Sequence, residues 1–150
     1  MTPSNADRTD YIQPAQGWVR TQLEEIDAAG GDASVVQIKG RAVVVVTMIG
    51  ARSGRPRRVP VMRVQDAGRY AVVASKGGAA RDPHWVNNLR TYPDRVSLLD
   101  GTAEKQMTCR ELAGQERQIW WERAVQAYPP YADYQENTGR EIPVFLLEPR

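Results

Sequence analysis

Between Ala33 and Gln65 the chain places seven basic residues, Lys39, Arg41, Arg52, Arg55, Arg57, Arg58 and Arg63, and no acidic one. Four of these arginines fall within seven residues, in and just after the turn-rich stretch Gly50-Ala51-Arg52-Ser53-Gly54-Arg55-Pro56. Such a loop can offer backbone N–H groups, a hydroxyl and guanidinium forks together, the set that grips a phosphate or carboxylate. A solvated basic turn has the same composition, and the residues alone leave both readings open. The spacing is not that of a phosphate loop, because no Gly-Lys-Ser or Gly-Lys-Thr follows. It is not a dinucleotide fingerprint either, because no helix is signalled directly after it.

Three further constellations carry potential chemistry. Ser75-Lys76-Gly77-Gly78 combines a point charge with two glycines that admit a ligand close to the backbone, although an ordinary turn reads the same way. Pro83-His84-Trp85-Val86-Asn87-Asn88-Leu89 puts Trp85 and Asn88 on one helical face. Trp85 fits a core position as well as a cofactor wall, and a buried Asn88 needs partners for its amide that a ring's polar edge could supply. Tyr128, Tyr131 and Tyr134 recur every three residues around Pro129-Pro130, which fits either packing on a barrel or a pocket wall. A tyrosine hydroxyl with a pKa near 10 is protonated at neutral pH and can donate. His84 and Cys109, each the single residue of its type, acquire no chemical role. Their scarcity rules out an internal disulfide and argues against a metal site or a Ser-His-Asp triad.

The elements that must position these residues follow from pattern. The chain has 150 residues, 41% of them hydrophobic, and a net charge of +2, enough for one domain and too balanced for a general nucleic-acid binder. Residues 1–16 read as a flexible leader and 17–150 as a single domain. Val19, Leu23 and Ile26 make an amphipathic helix over Gly17–Ala29, whose stripe suits the core or a peripheral membrane or partner contact. Val43–Ile49 reads as a strand, Arg58–Val64 and Tyr70–Ala74 as a hairpin, and Asp82 as the cap of a helix from Pro83 to Tyr92. A hairpin over Val96–Leu99 and Thr102–Glu111 precedes a helix over Gly114–Tyr128, with Trp121, Val125 and Tyr128 as its stripe. Ile142–Leu147 closes the chain as a strand. Antiparallel strands with helices between them predict a mainly β, α+β architecture, a small barrel with helical additions. No signal peptide or membrane span is evident, so a cytoplasmic protein is expected, membrane-associated if the first helix docks.

Thr47 to Val61, Ala74-Ser75-Lys76-Gly77-Gly78-Ala79, Pro83 to Leu89, and Tyr128-Pro129-Pro130-Tyr131-Ala132-Asp133-Tyr134-Gln135 with Ile142-Pro143-Val144 together resemble the deazaflavin-dependent nitroreductase family. These are small reductases that use coenzyme F420. The resemblance runs from about Gly40 to Pro149 in one order and spacing. It implies a split β-barrel related to flavin-binding barrels. It further implies that Ala51, Arg52 and Ser53, with Arg57, Arg58, Val59, Pro60, Val61 and Met62, hold the phosphate and acidic tail or lie along the cofactor. Val73, Ala74, Ser75 and Lys76 line the ring or its linker, His84, Trp85, Val86, Asn87 and Asn88 close over it, and Tyr131 completes the site.

The implied chemistry is hydride transfer from reduced deazaflavin to an electrophilic carbon, followed by protonation, with the hard step carried by the cofactor. Ser75, Tyr128 and Tyr134 are the expected groups for hydrogen bonding or proton delivery. The expected partner is a hydrophobic small-molecule electrophile, an enone, quinone or unsaturated lactone. Nitro reduction is less secure, because Met62-Arg63 can reshape the pocket. A non-catalytic carrier of the same cofactor would share the arginine loop, and both monomer and homodimer remain open.

Overall fold

The computed structural model describes residues 17–150, so the leader expected over residues 1–16 lies outside the described residues. Helix α1 (Gly17–Ala28) is followed by a short 3-10 turn and the hairpin of β1 (Gln37–Ile38) with β2 (Arg41–Ile49). Then come β3 (Pro56–Met62), β4 (Gln65–Asp66), β5 (Arg69–Val73), α2 (Trp85–Thr91), β6 (Val96–Asp100) and β7 (Ala103–Glu111). Helices α3 (Gly114–Ala127) and α4 (Pro130–Glu136) precede β8 (Val144–Pro149). All the pairings are antiparallel, in the order β1-β2-β6-β7-β8-β5-β4, with β3 on β2 as well. The sheet curls into a split barrel.

Two-sided burial explains the valine run. Val44, Val46 and Met48 point into the barrel with Val72, Leu98, Met107 and Phe145. Val43 and Val45 face outward against Val19, Leu23 and Ile26 of α1. A strand covered on both faces reads as continuous hydrophobicity rather than alternation. The α1 stripe therefore packs on the core. Arg58 fixes the same helix, with its guanidinium forked onto Asp27 at 2.8 and 3.1 Å.

Three expectations need correction. The chain after β3 bends at Arg63–Val64, so β3 ladders along β2 and only the short β4 forms a hairpin with β5. The buried stripe of α3 is Trp120, Ala124 and Tyr128, one residue from the stripe expected, because Trp120 fills the gap between α3 and the sheet while Trp121 lies at its margin. Asp82 caps nothing. Helix α2 begins at Trp85, and the Asp82 carboxylate pairs instead with Arg140 at 2.8 Å. Pro129-Pro130 ends α3 as expected, and α4 starts with Pro130, where a missing N–H is harmless.

Candidate functional site

Strand register gathers the chemistry at one end of the barrel. Because every ladder is antiparallel, the end of β2 at Ile49, the start of β3 at Pro56, the end of β5 at Val73, the end of β7 at Glu111 and the start of β8 at Val144 share that end. The arginine loop and the Ser75–Gly78 loop both leave the barrel there. Helix α2 plugs the opening, with Val86 and Leu89 in the barrel core and Trp85 against Phe145 at 6.5 Å.

Beside the plug, β3 is laddered on one side only. Pro60 has no N–H to give to a ladder, so its nitrogen must face away from β2. Strand alternation then turns the main-chain polar groups of Arg58, Pro60 and Met62 toward the open edge. The facing strand, β5, is joined to this part of the chain by the Ala71 N–H donating to the Val64 carbonyl at 2.9 Å. This split is bounded outside by α4: Met62, Ala71, Val73, Tyr128 and Tyr131 form one packed cluster, with Tyr134 at its margin.

The arginine loop is compact. Gly50 N–H donates to Arg55 O and Gly54 N–H to Gly50 O, each at 2.9 Å, and Arg55 N–H donates to Ser53 Oγ at 3.2 Å. Ala51 N–H donates to Asn88 Oδ1 at 2.8 Å. Four of the loop's amides are thus taken internally, so the expected cradle of N–H groups is largely closed and anion binding falls to the guanidinium groups. Arg52 is exposed and Arg57 half-buried, whereas Arg58 is committed to Asp27. A Cβ at Gly50 would collide with Ser53 Oγ and stand 3.1 Å from Arg57 Nε. The bare Gly50 backbone is therefore the floor on which the serine and Arg57 side chains are laid. Buried Asn88 accepts from this loop with its amide oxygen and so positions it.

Arg140 holds the second loop in a way the sequence did not suggest. Its guanidinium donates to the carbonyls of Ala79 at 2.8 Å, Ala74 at 3.2 Å and Ser75 at 2.7 Å, as well as to Asp82. One planar fork thereby fixes the backbone around buried Ser75. Gly78 has a reason different from the one expected: a Cβ there would stand 3.0 Å from the Tyr134 carbonyl, so the bare backbone admits α4 rather than a ligand. Lys76 stays exposed at the loop's tip with φ of 46°.

The tyrosines converge, Tyr128 and Tyr131 inside the packed cluster and Tyr134 at its margin. Tyr128 and Tyr131 meet edge-to-face at 4.9 Å, and the Tyr128 and Tyr134 hydroxyls are 3.1 Å apart. Tyr131 is 4% exposed, and burial pushes its hydroxyl pKa well up. Tyr134 is half-buried and also raised, chiefly by its hydrogen bond to Tyr128. Both therefore stay protonated at neutral pH. Of the other expected site residues, Val59 and Val61 face the barrel interior, Val73 and Ala74 are buried beside α4 and the core, and His84 and Asn87 are exposed on or just before α2. Burial in the barrel pushes the Cys109 thiol up to about 12, which leaves it an inert core residue.

The residues present fit a long ligand with an anionic end. They provide cationic side chains around a built floor, an open strand edge of main-chain donors and acceptors, and a cluster of phenols. A family model described as F420H2-dependent quinone reductase matches residues 18–149. A Mycobacterium tuberculosis protein named F420H2-dependent quinone reductase Rv1261c is 32% identical over 104 residues, which cover 67% of this chain and 69% of that one. A solved F420-H2 dependent reductase is 50% identical, with a TM-score of 0.68 over 75% of this chain and 99% of that chain. A further solved structure, described only as a domain-swapped dimer, is 48% identical, with a TM-score of 0.71 over 87% of this chain and 97% of that chain. The heme storage protein HutZ of Vibrio cholerae, 16% identical, shares the fold alone, with a TM-score of 0.51 over 75% of this chain and 84% of that chain. Among the described residues no helix is long and apolar enough to cross a membrane.

Proposed function

This chain belongs to the F420H2-dependent quinone reductase family, and on that premise we propose that it reduces quinones, and with them enones and unsaturated lactones, at the split between β3 and α4. When bound, the reduced deazaflavin supplies the hydride. Arg52, Arg57 and Lys76 would hold its anionic end, and the open edge of β3 would meet the polar edge of its ring. Met62, Val73 and Tyr131 give the apolar surroundings that suit a hydrophobic acceptor. The Tyr134 hydroxyl, protonated and half-exposed, would donate to the oxygen on which negative charge develops, with Ser75 as a second donor from the clamped loop. The observation that carries this reading is the Gly50 floor, which sets Ser53 and Arg57 side by side at the mouth of the split.

The test is steady-state oxidation of reduced coenzyme F420 with menadione, cyclohexenone and a nitroimidazole in parallel. Turnover is expected with menadione first. Tight cofactor binding with no oxidation by any acceptor would instead mark a carrier.

A further inference from the structure

Resting on the reductase reading above, one residue outside the expected site acquires a role. The two-residue turn between Ile38 and Arg41 has both Lys39, at φ of 49°, and Gly40, at φ of 73°, in the left-handed region. Such turns favour Asn-Gly, and a long side chain at the first position is locally unfavourable. The lysine nevertheless sits there, with its ammonium 6.0 Å from the centre of the Tyr128 ring. Its charged form is favoured first by the neighbouring Tyr128 hydroxyl, then by the electrostatics of Tyr128 and Tyr134, with a smaller contribution from the Tyr134 hydroxyl. From α3 and α4, the groups that face it are those two phenols, with Tyr131 packed behind them. Arg41, the neighbouring cation, is turned to the Ala127 carbonyl at 3.0 Å.

We propose that Lys39 is a positioning residue for proton delivery: its ammonium donates to the Tyr128 hydroxyl, turns that O–H toward Tyr134, and leaves the Tyr134 O–H to donate into the split. The number of donors sets the direction of the chain. An ammonium only donates, and each phenol has one hydrogen. With Lys39 at one end, the 3.1 Å contact between the two hydroxyls acquires a direction. A bound reduced deazaflavin would supply the hydride and both electrons, and the quinone so reduced would carry one anionic oxygen. Tyr134 gives that oxygen its proton and completes the hydroquinone. Tyr134 then takes the Tyr128 proton, Tyr128 takes one from the ammonium, and exposed Lys39 is recharged from solvent. The cation also stabilises the transient tyrosinate.

Lys39→Gly separates this role from a structural one, because glycine suits the left-handed turn. The variant is expected to keep or raise Tm, to hold its KM for reduced coenzyme F420, and to lose about tenfold in kcat with menadione. Lys39→Arg should restore most of the rate. In the cofactor-free protein, the tyrosinate absorbance that Tyr134→Phe removes should appear at higher pH in Lys39→Gly than in the wild type, since a nearby positive charge has been deleted. A Lys39→Gly protein with wild-type kcat and an unmoved tyrosinate midpoint would overturn the proposal. A wild type that binds reduced cofactor but fails to oxidise it with every acceptor would overturn the reductase reading, while the tyrosinate titration still judges the Lys39 contact.

Discussion

Arg140→Met is expected to lower the unfolding free energy by about 2–4 kcal/mol and to weaken cofactor binding with it. The methionine fills similar space but leaves the Ala74, Ser75 and Ala79 carbonyls and the Asp82 carboxylate without their shared donor. Those groups sit at the end of β5, so the damage is to the loop that presents Ser75 and Lys76. Urea unfolding monitored by tryptophan fluorescence gives the first number, and cofactor titration at low denaturant gives the second. Arg140→Lys should recover only part of either, because one ammonium cannot reach three carbonyls and a carboxylate in a planar fork. A wild-type midpoint in Arg140→Met would show that the fork is dispensable.

Gly50→Ala is the second large effect, expected at tenfold or more in cofactor affinity by the order-of-magnitude reasoning for misplaced binding groups. The added methyl would occupy the place where Ser53 Oγ lies, so the serine hydroxyl must swing away, and Arg57 Nε, 3.1 Å distant, must shift with it. Gly54→Ala is the control in the same loop. It meets no neighbour but is forced to φ of 67°, so its effect should be on stability, by about 1 kcal/mol, with Arg57 left in place. Equal affinity losses from the two variants would mean that loop strain, rather than the Gly50 floor, governs binding.

Local pattern made most of the fold legible. Val43–Val46 announced a strand, Gly30-Gly31 ended a helix, and Pro129-Pro130 broke another, because each acts through its own backbone or immediate neighbours. What escaped was set by partners far along the chain. Arg58 reads as one more loop cation until Asp27, 31 residues earlier, is seen to hold it. Arg140 sits in an undistinguished coil and acts on carbonyls about 60 residues away. The stripe of α3 was misplaced by one residue because adjacent tryptophans satisfy either register, and only the volume left beside the sheet chooses Trp120. The candidate site was visible as residue types: arginines, a serine, phenols. Which of them face a ligand and which hold one another, as Asn88 holds Ala51 and Gly78 admits α4, depends on packing that no spacing encodes.

The central claim is that cationic side chains at the mouth of the split grip the anionic end of a deazaflavin. Its most direct test is a fluorescence titration of coenzyme F420 with wild-type protein and Arg57→Ala over a range of salt concentrations. Tight wild-type binding that weakens steadily with salt, and an Arg57→Ala protein with weaker binding and a shallower salt dependence, is the predicted result. Affinity indifferent to salt and to Arg57, or tight binding of FMN with the deazaflavin ignored, would contradict it.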